Sequence, residues 1–261
     1  MRNRVTAQAL LDKYAITDPY EIDLEAIAHC ENAEVRYESI KGSEARLLGL
    51  NNKAIITINE NAPFERQRFS LAHELGHWVI DRGTIGKLCK REDINASAIQ
   101  NSKKIDWGEI AVNKFAADLI MPMHFFKKSC NGHQITFDTV ENLRVIYKTS
   151  KLSTAIRLID VDEFPCALAY SENQKIHWMH KSNSVPKGFY YHDHVGNESV
   201  AAMLNSKEGE IRSVCSDNWF SIKNAENYSI LENSIPYYKG ILSLLWWKNE
   251  SQILSYNEYH S

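Results

Sequence analysis

The stretch from Phe69 to Val79 constrains this chain more than any other, because its apolar residues recur at helical spacing while His73, Glu74 and His77 interrupt them. Phe69, Ala72, Leu75, Gly76 and Val79 form one stripe, with Asn61 and Pro63 as start signals and Gly83 as a stop signal. The stripe leaves His73 and His77 together on its flank. Four residues on a helix is slightly more than one turn, so the two imidazoles project from one face about 6 Å apart. Two imidazoles so placed can close on one zinc ion, and Glu74, falling between them, stands where a carboxylate can take a proton from a bound water.

A water-activating zinc site takes three protein ligands and leaves a fourth position open. The segment from Trp107 to Pro122 is the best source of the third. Val112, Phe115, Ala116, Leu119 and Ile120 repeat at helical spacing, and Pro122 bars simple continuation. Glu109 and Asn113 lie one turn apart on an edge of that stripe, which suits a ligand and a hydrogen-bond partner for a ligating His. Spacing alone leaves a second role open for Glu109, since Asp106-x-x-Glu109 also fits a capping box.

The run Arg66-Gln67-Arg68-Phe69-Ser70-Leu71-Ala72-His73-Glu74-Leu75-Gly76-His77, followed by Glu109-x-x-x-Asn113-x-Phe115-Ala116-Ala117-x-Leu119-Ile120-Met121-Pro122, resembles the ImmA/IrrE family of metallo-endopeptidases. The resemblance covers about residues 1 to 180. Ala111 and Val112 depart from a polar residue and an Ala in the family pattern, and Ile120 replaces a Leu; none of these removes a ligand or the base. The resemblance implies a zincin-like core, a Zn2+ cofactor held by His73, His77 and Glu109, and Glu74 as catalytic base. It also implies a protein substrate, a helix-turn-helix (XRE-type) transcriptional repressor whose cleavage relieves repression. An oxyanion donor is expected too, with Tyr37, Arg68 or a residue of a second domain as candidates.

Elsewhere the sequence speaks more quietly. A net charge of -3 and a pI near 6.4 give no general pull toward nucleic acid, and the short runs Lys87 to Arg91 and Lys103-Lys104 read as solvated loop. No run approaches the roughly 18 apolar residues of a membrane span. Five scattered Cys without a C-x-x-C pair suit reduced thiols, and the expected location is the cytoplasm.

The expected class is α+β, in three parts: a zincin-like core over 1–135, a helical segment over 136–160, and a mixed or β-rich domain over 161–261 that binds substrate or senses a signal. Thr6 to Tyr14 and Asp23 to Cys30 read as helices; Glu34 to Ile40, Arg46 to Leu50 and Ala54 to Ile58 read as strands. Lys53 to Ile58 is either an interior strand or a free edge to which a substrate peptide adds. Thr84 to Asp106 reads as a polar loop. Thr136 to Tyr147 and Ser150 to Ile159 read as two helices with a helix-turn-helix flavour, which raises a rival function: a regulator that binds DNA, or the repressor, without proteolysis. The few base-reading side chains, Lys151 and Arg157, and the acidic Asp160 and Asp162 weigh against DNA. Cys166 to Tyr170 and Lys175 to His180 pair as strands, as do Tyr228 to Ile235 and Gly240 to Trp247 across a Pro236–Lys239 link, with Trp246-Trp247 in the core. His177, His180, His192 and His194 read as ordinary polar residues.

Overall fold

In the computed structural model, which describes residues 5–80, 82, 85–89, 107–203, 209–247, 251 and 253, helices start where the sequence offers oxygen caps. The elements are α1 (Ala7–Lys13), α2 (Leu24–Cys30), β1 (Ala33–Glu38), β2 (Ala45–Leu50), β3 (Lys53–Asn59), α3 (Phe64–Ile80), β4 (Ile85–Cys89), α4 (Trp107–Ile120), α5 (Met123–Cys130), α6 (Phe137–Tyr147), α7 (Lys151–Asp160), β5 (Cys166–Glu172), β6 (Lys175–Lys181), β7 (Tyr190–Tyr191), β8 (Ile211–Cys215), β9 (Phe220–Ser221), β10 (Ser229–Tyr237) and β11 (Gly240–Trp246). The Thr6 side chain accepts from Ala9 N at α1, and Asp23 accepts from Glu25 N and Ala26 N at α2. At α3 the Pro63 carbonyl accepts from Arg66 N and Gln67 N, while the Gln67 amide reaches back to the Glu60 and Ala62 carbonyls. The chain is α+β and divides into two compact units, Met1–Ser129 with Arg144–Ser150, and Cys130–Leu143 with Lys151–Ser261.

The first unit holds a four-stranded sheet in the order β1-β3-β2-β4, with β1 parallel to β3 and the other pairs antiparallel. One open alternative is decided and one expectation corrected by this sheet. Lys53 to Ile58 is an interior strand: the hairpin through Asn51, at φ 56°, gives it β2 on one side, and β1 pairs along its other side. The supposed loop from Thr84 begins with a strand, because Ile85–Cys89 finds ladder partners in Ala45–Gly49. Gly83, Lys103, Lys104 and Asp106 lie outside the described residues.

Leu47, Ile56 and Ile58 of the sheet and Leu71, Ala72, Leu75 and Trp78 of α3 are buried, and each large apolar side chain so placed contributes about 1.5–3 kcal/mol. The Trp78 indole N–H donates to the Glu31 carbonyl at 2.8 Å, fixing the end of α3 against the end of α2. The buried Glu31 carboxylate accepts from Lys13 Nζ at 2.5 Å and Tyr14 Oη at 2.7 Å and pairs with Arg82, so its charge is compensated three ways.

The second unit is built on an antiparallel sheet in the order β6-β5-β11-β10-β8, with α7 packed on β5 and β6. Asn173 and Gln174 take φ 50° and 62° in the β5–β6 hairpin, the left-handed pair that a two-residue turn of right-handed twist needs. The β10–β11 turn is tighter than the sequence suggests, since Pro236 and Tyr237 stay in β10 opposite Ile241 and Gly240. Pro236 is tolerated because β8 pairs with Ser229–Asn233, so among the described residues no ladder partner is lost on that side. Trp246 and Trp247 are both buried, the latter with its ring 5.3 Å from Phe220 and 5.5 Å from Phe189.

Buried Glu232 accepts from Val200 N, Ala201 N, Trp219 Nε1 and Ser234 Oγ at 2.7–3.0 Å. Burial pushes its carboxyl up from the ordinary value, and those hydrogen bonds oppose the shift. Helices α6 and α7 follow one another through Lys148–Ser150, but Arg157 on α7 is only 6% exposed and cannot reach base edges. No described helix is long and apolar enough to cross a membrane.

Candidate metal centre

Helix α3 places His73, Glu74 and His77 at 0% exposure, inside the first unit. Helix α4 packs on it with Val112 and Phe115 against Gly76, where a Cβ would lie 3.1 Å from Val112 Cγ1 and 2.9 Å from Phe115 Cδ1. That approach carries Glu109 and Asn113, on the first turns of α4, to the two imidazoles.

The three groups converge on one point. His73 Nε2 and His77 Nε2 are 3.1 Å apart, and Glu109 Oε2 stands 3.2 Å from the first and 3.3 Å from the second. Three atoms bound at about 2.0–2.1 Å around a tetrahedral ion are separated by about 3.3–3.4 Å, so the triangle already has the size such an ion requires. Among the described residues this is the one group of three His, Cys, Asp or Glu ligand atoms within 4.8 Å of one another.

His73 Nδ1 lies 2.9 Å from Asn113 Oδ1. An N–H donated there leaves Nε2 to face the other two groups, as a donor toward Glu109 when protonated and as a lone pair for a metal when not. At Glu109 burial works to raise the carboxyl pKa, but hydrogen bonds and charge from His73 and His77 outweigh it and hold the group well below its ordinary value. The Glu109 carboxylate is thus ionised. The competing cap on Asp106 falls outside the described residues.

The two oxyanion candidates of the first unit are held by other partners. Tyr37 Oη donates to Glu25 Oε1 at 2.7 Å and Arg68 Nη2 to the Ile22 carbonyl at 3.1 Å. Arg68 also stands roughly 140° around α3 from His73 and 180° from His77. In the second unit His180 pairs with Asp160 at 2.7 Å, His177 lies 4.0 Å from Glu172 and His192 lies 3.9 Å from Asp217, three separate surface contacts. What sequence reasoning passed over is Gly76, placed there among the buried stripe; only the position of α4 reveals that Val112 and Phe115 press against it.

A small sheet, a helix bearing His-Glu-x-x-His and a second helix delivering a carboxylate to the imidazole pair define a zincin-like fold of the metallopeptidase type. The profile of Peptidase_M78, the IrrE N-terminal-like domain, matches residues 28–158, half of the 261-residue chain, and the chain belongs to that family. The match takes in β1 to β4 and α3 to α6, a shorter span than the resemblance read over residues 1 to 180. Among solved structures, a Mycobacterium tuberculosis transcriptional regulator is similar to the chain at 10% identity and a TM-score of 0.56, with 97% of this chain and 78% of that one covered; at such identity the likeness is one of fold. No curated protein matches the chain.

Proposed function

We propose that the protein is a zinc-dependent endopeptidase that cleaves a helix-turn-helix (XRE-type) transcriptional repressor in the cytoplasm and so relieves repression. The observation that carries the catalytic part is the 3.1–3.3 Å triangle of His73, His77 and Glu109 atoms beside the buried Glu74. The repressor as substrate is carried by the resemblance of the two motifs to the ImmA/IrrE family.

In this reading His73 Nε2, His77 Nε2 and Glu109 Oε2 hold the ion, which when bound supplies the Lewis acidity that acidifies a water and polarises the scissile carbonyl. Asn113 keeps His73 in the ligating tautomer and orientation. Glu74 takes the proton of the attacking water and delivers it to the leaving amine as the peptide bond breaks. Residues 161–261 serve substrate binding or sensing. An extended substrate needs a free sheet edge, and β4, which among the described residues pairs only with β2, replaces Lys53–Ile58 in that role.

The test is zinc content and proteolysis together. Zinc should be retained in Glu74→Gln and largely lost in Glu109→Ala; full zinc in Glu109→Ala refutes the ligand set. Co-expression with a repressor encoded next to this protein should give cleavage with the wild type and none with Glu74→Gln. Relief of repression by Glu74→Gln equal to wild type would mean that the protein acts by binding, to the repressor or to DNA.

A further inference from the structure

We infer that Gly76 is a positioning residue of the metal centre: its missing side chain sets the separation of α3 and α4 at which Glu109 joins His73 and His77. The inference rests on the ligand set proposed above. A glycine inside a helix costs about 1 kcal/mol relative to alanine, so its place in the middle of α3 calls for a compensating reason.

The reason is steric. A Cβ at position 76 would stand 2.9 Å from Phe115 Cδ1 and 3.1 Å from Val112 Cγ1, where ordinary van der Waals contact begins near 3.4 Å. Val112 and Phe115 are 2% and 5% exposed, so close packing leaves them little room to swing aside. Relief comes instead from moving α4 outward by about half an ångström, the shortfall between a packed contact and this one.

Glu109 rides on the same helix, one turn before Val112, and Gly76 immediately precedes His77. An outward shift therefore acts on Glu109 Oε2, now 3.2 and 3.3 Å from the two imidazole nitrogens. Metal–ligand distances hold to within about 0.2 Å, so a half-ångström displacement takes the carboxylate out of bonding range while leaving the two imidazoles, both on α3, where they are.

The experiment is a double-mutant cycle on zinc affinity, read by competition with a chelator for wild type, Gly76→Ala, Glu109→Ala and the double variant, with thermal unfolding of each apo protein to establish that it is folded. Gly76→Ala should weaken zinc tenfold or more in the wild-type background and change it less than twofold when Glu109 is already Ala. Wild-type affinity in Gly76→Ala overturns the inference, as does an equal loss in both backgrounds, which would place the effect on the imidazole pair. If Gly76→Ala does not fold, Val112→Ile adds a methyl group at the same contact from α4, and the same cycle built on it supports or overturns the inference by the same two comparisons. Undiminished zinc in Glu109→Ala alone would instead refute the ligand set, a failure separable from that of Gly76.

Discussion

Replacing Asn113 by Ala should weaken zinc by 10- to 100-fold without unfolding the protein. His73 is fully buried, and its Nδ1–H has the Asn113 Oδ1 acceptor at 2.9 Å. Removing that oxygen orphans a buried N–H at about 1–3 kcal/mol. The ring can avoid this cost by moving the proton to Nε2 or by turning, and either escape spoils the lone pair aimed at the metal. Loss of a hydrogen-bond partner behind a metal-bound imidazole typically lowers affinity 10- to 100-fold, which is about 1.4–2.7 kcal/mol and agrees with the orphaned-donor figure. Chelator competition measures it directly, and Asn113→Asp, which keeps an acceptor, should hold zinc at least as well as wild type. An Asn113→Ala affinity within twofold of wild type would refute the reasoning, because His73 would then need no outside partner to present Nε2.

Trp78→Phe removes the 2.8 Å bond to the Glu31 carbonyl and leaves a gap at a 0%-exposed position, so chemical denaturation should show a loss of about 2–4 kcal/mol. Glu232→Ala leaves the Val200, Ala201 and Trp219 N–H groups without their acceptor in the second unit's core and should cost about 3–5 kcal/mol. Because the Glu232 carboxyl is raised in the folded state, its contribution is fully present below the unfolded value and lost as pH rises through the folded one. The stability gap between wild type and Glu232→Ala should therefore narrow as pH climbs through the range just above the ordinary glutamate value; a gap that widens there would reverse the sign of the shift.

Legibility in the sequence followed the range of the physics. The helix that carries His73, Glu74 and His77 was readable to within a few residues because its stripe, its Pro63 start and its two-imidazole spacing are all local. The strand at Ile85–Cys89 was not, since Ile-Gly-Lys-Leu-Cys has neither clean alternation nor strong β composition, and it becomes a strand through its ladder with β2, forty residues earlier. The interior place of β3 likewise depends on β1 returning parallel to it, a crossover that no window along the chain reveals. Glu109 falls between these cases. Its spacing to Asn113 is local, yet whether its carboxylate caps a helix or faces two imidazoles depends on how closely two helices approach, and that is decided by the volumes at Gly76, Val112 and Phe115. A sequence carrying His-Glu-x-x-His and a correctly spaced Glu-x-x-x-Asn, but with a larger residue at the position of Gly76 and no smaller one opposite, would satisfy the motif and fail to close the triangle. The three packing positions therefore belong in the pattern beside the ligands, because they determine whether the ligands meet.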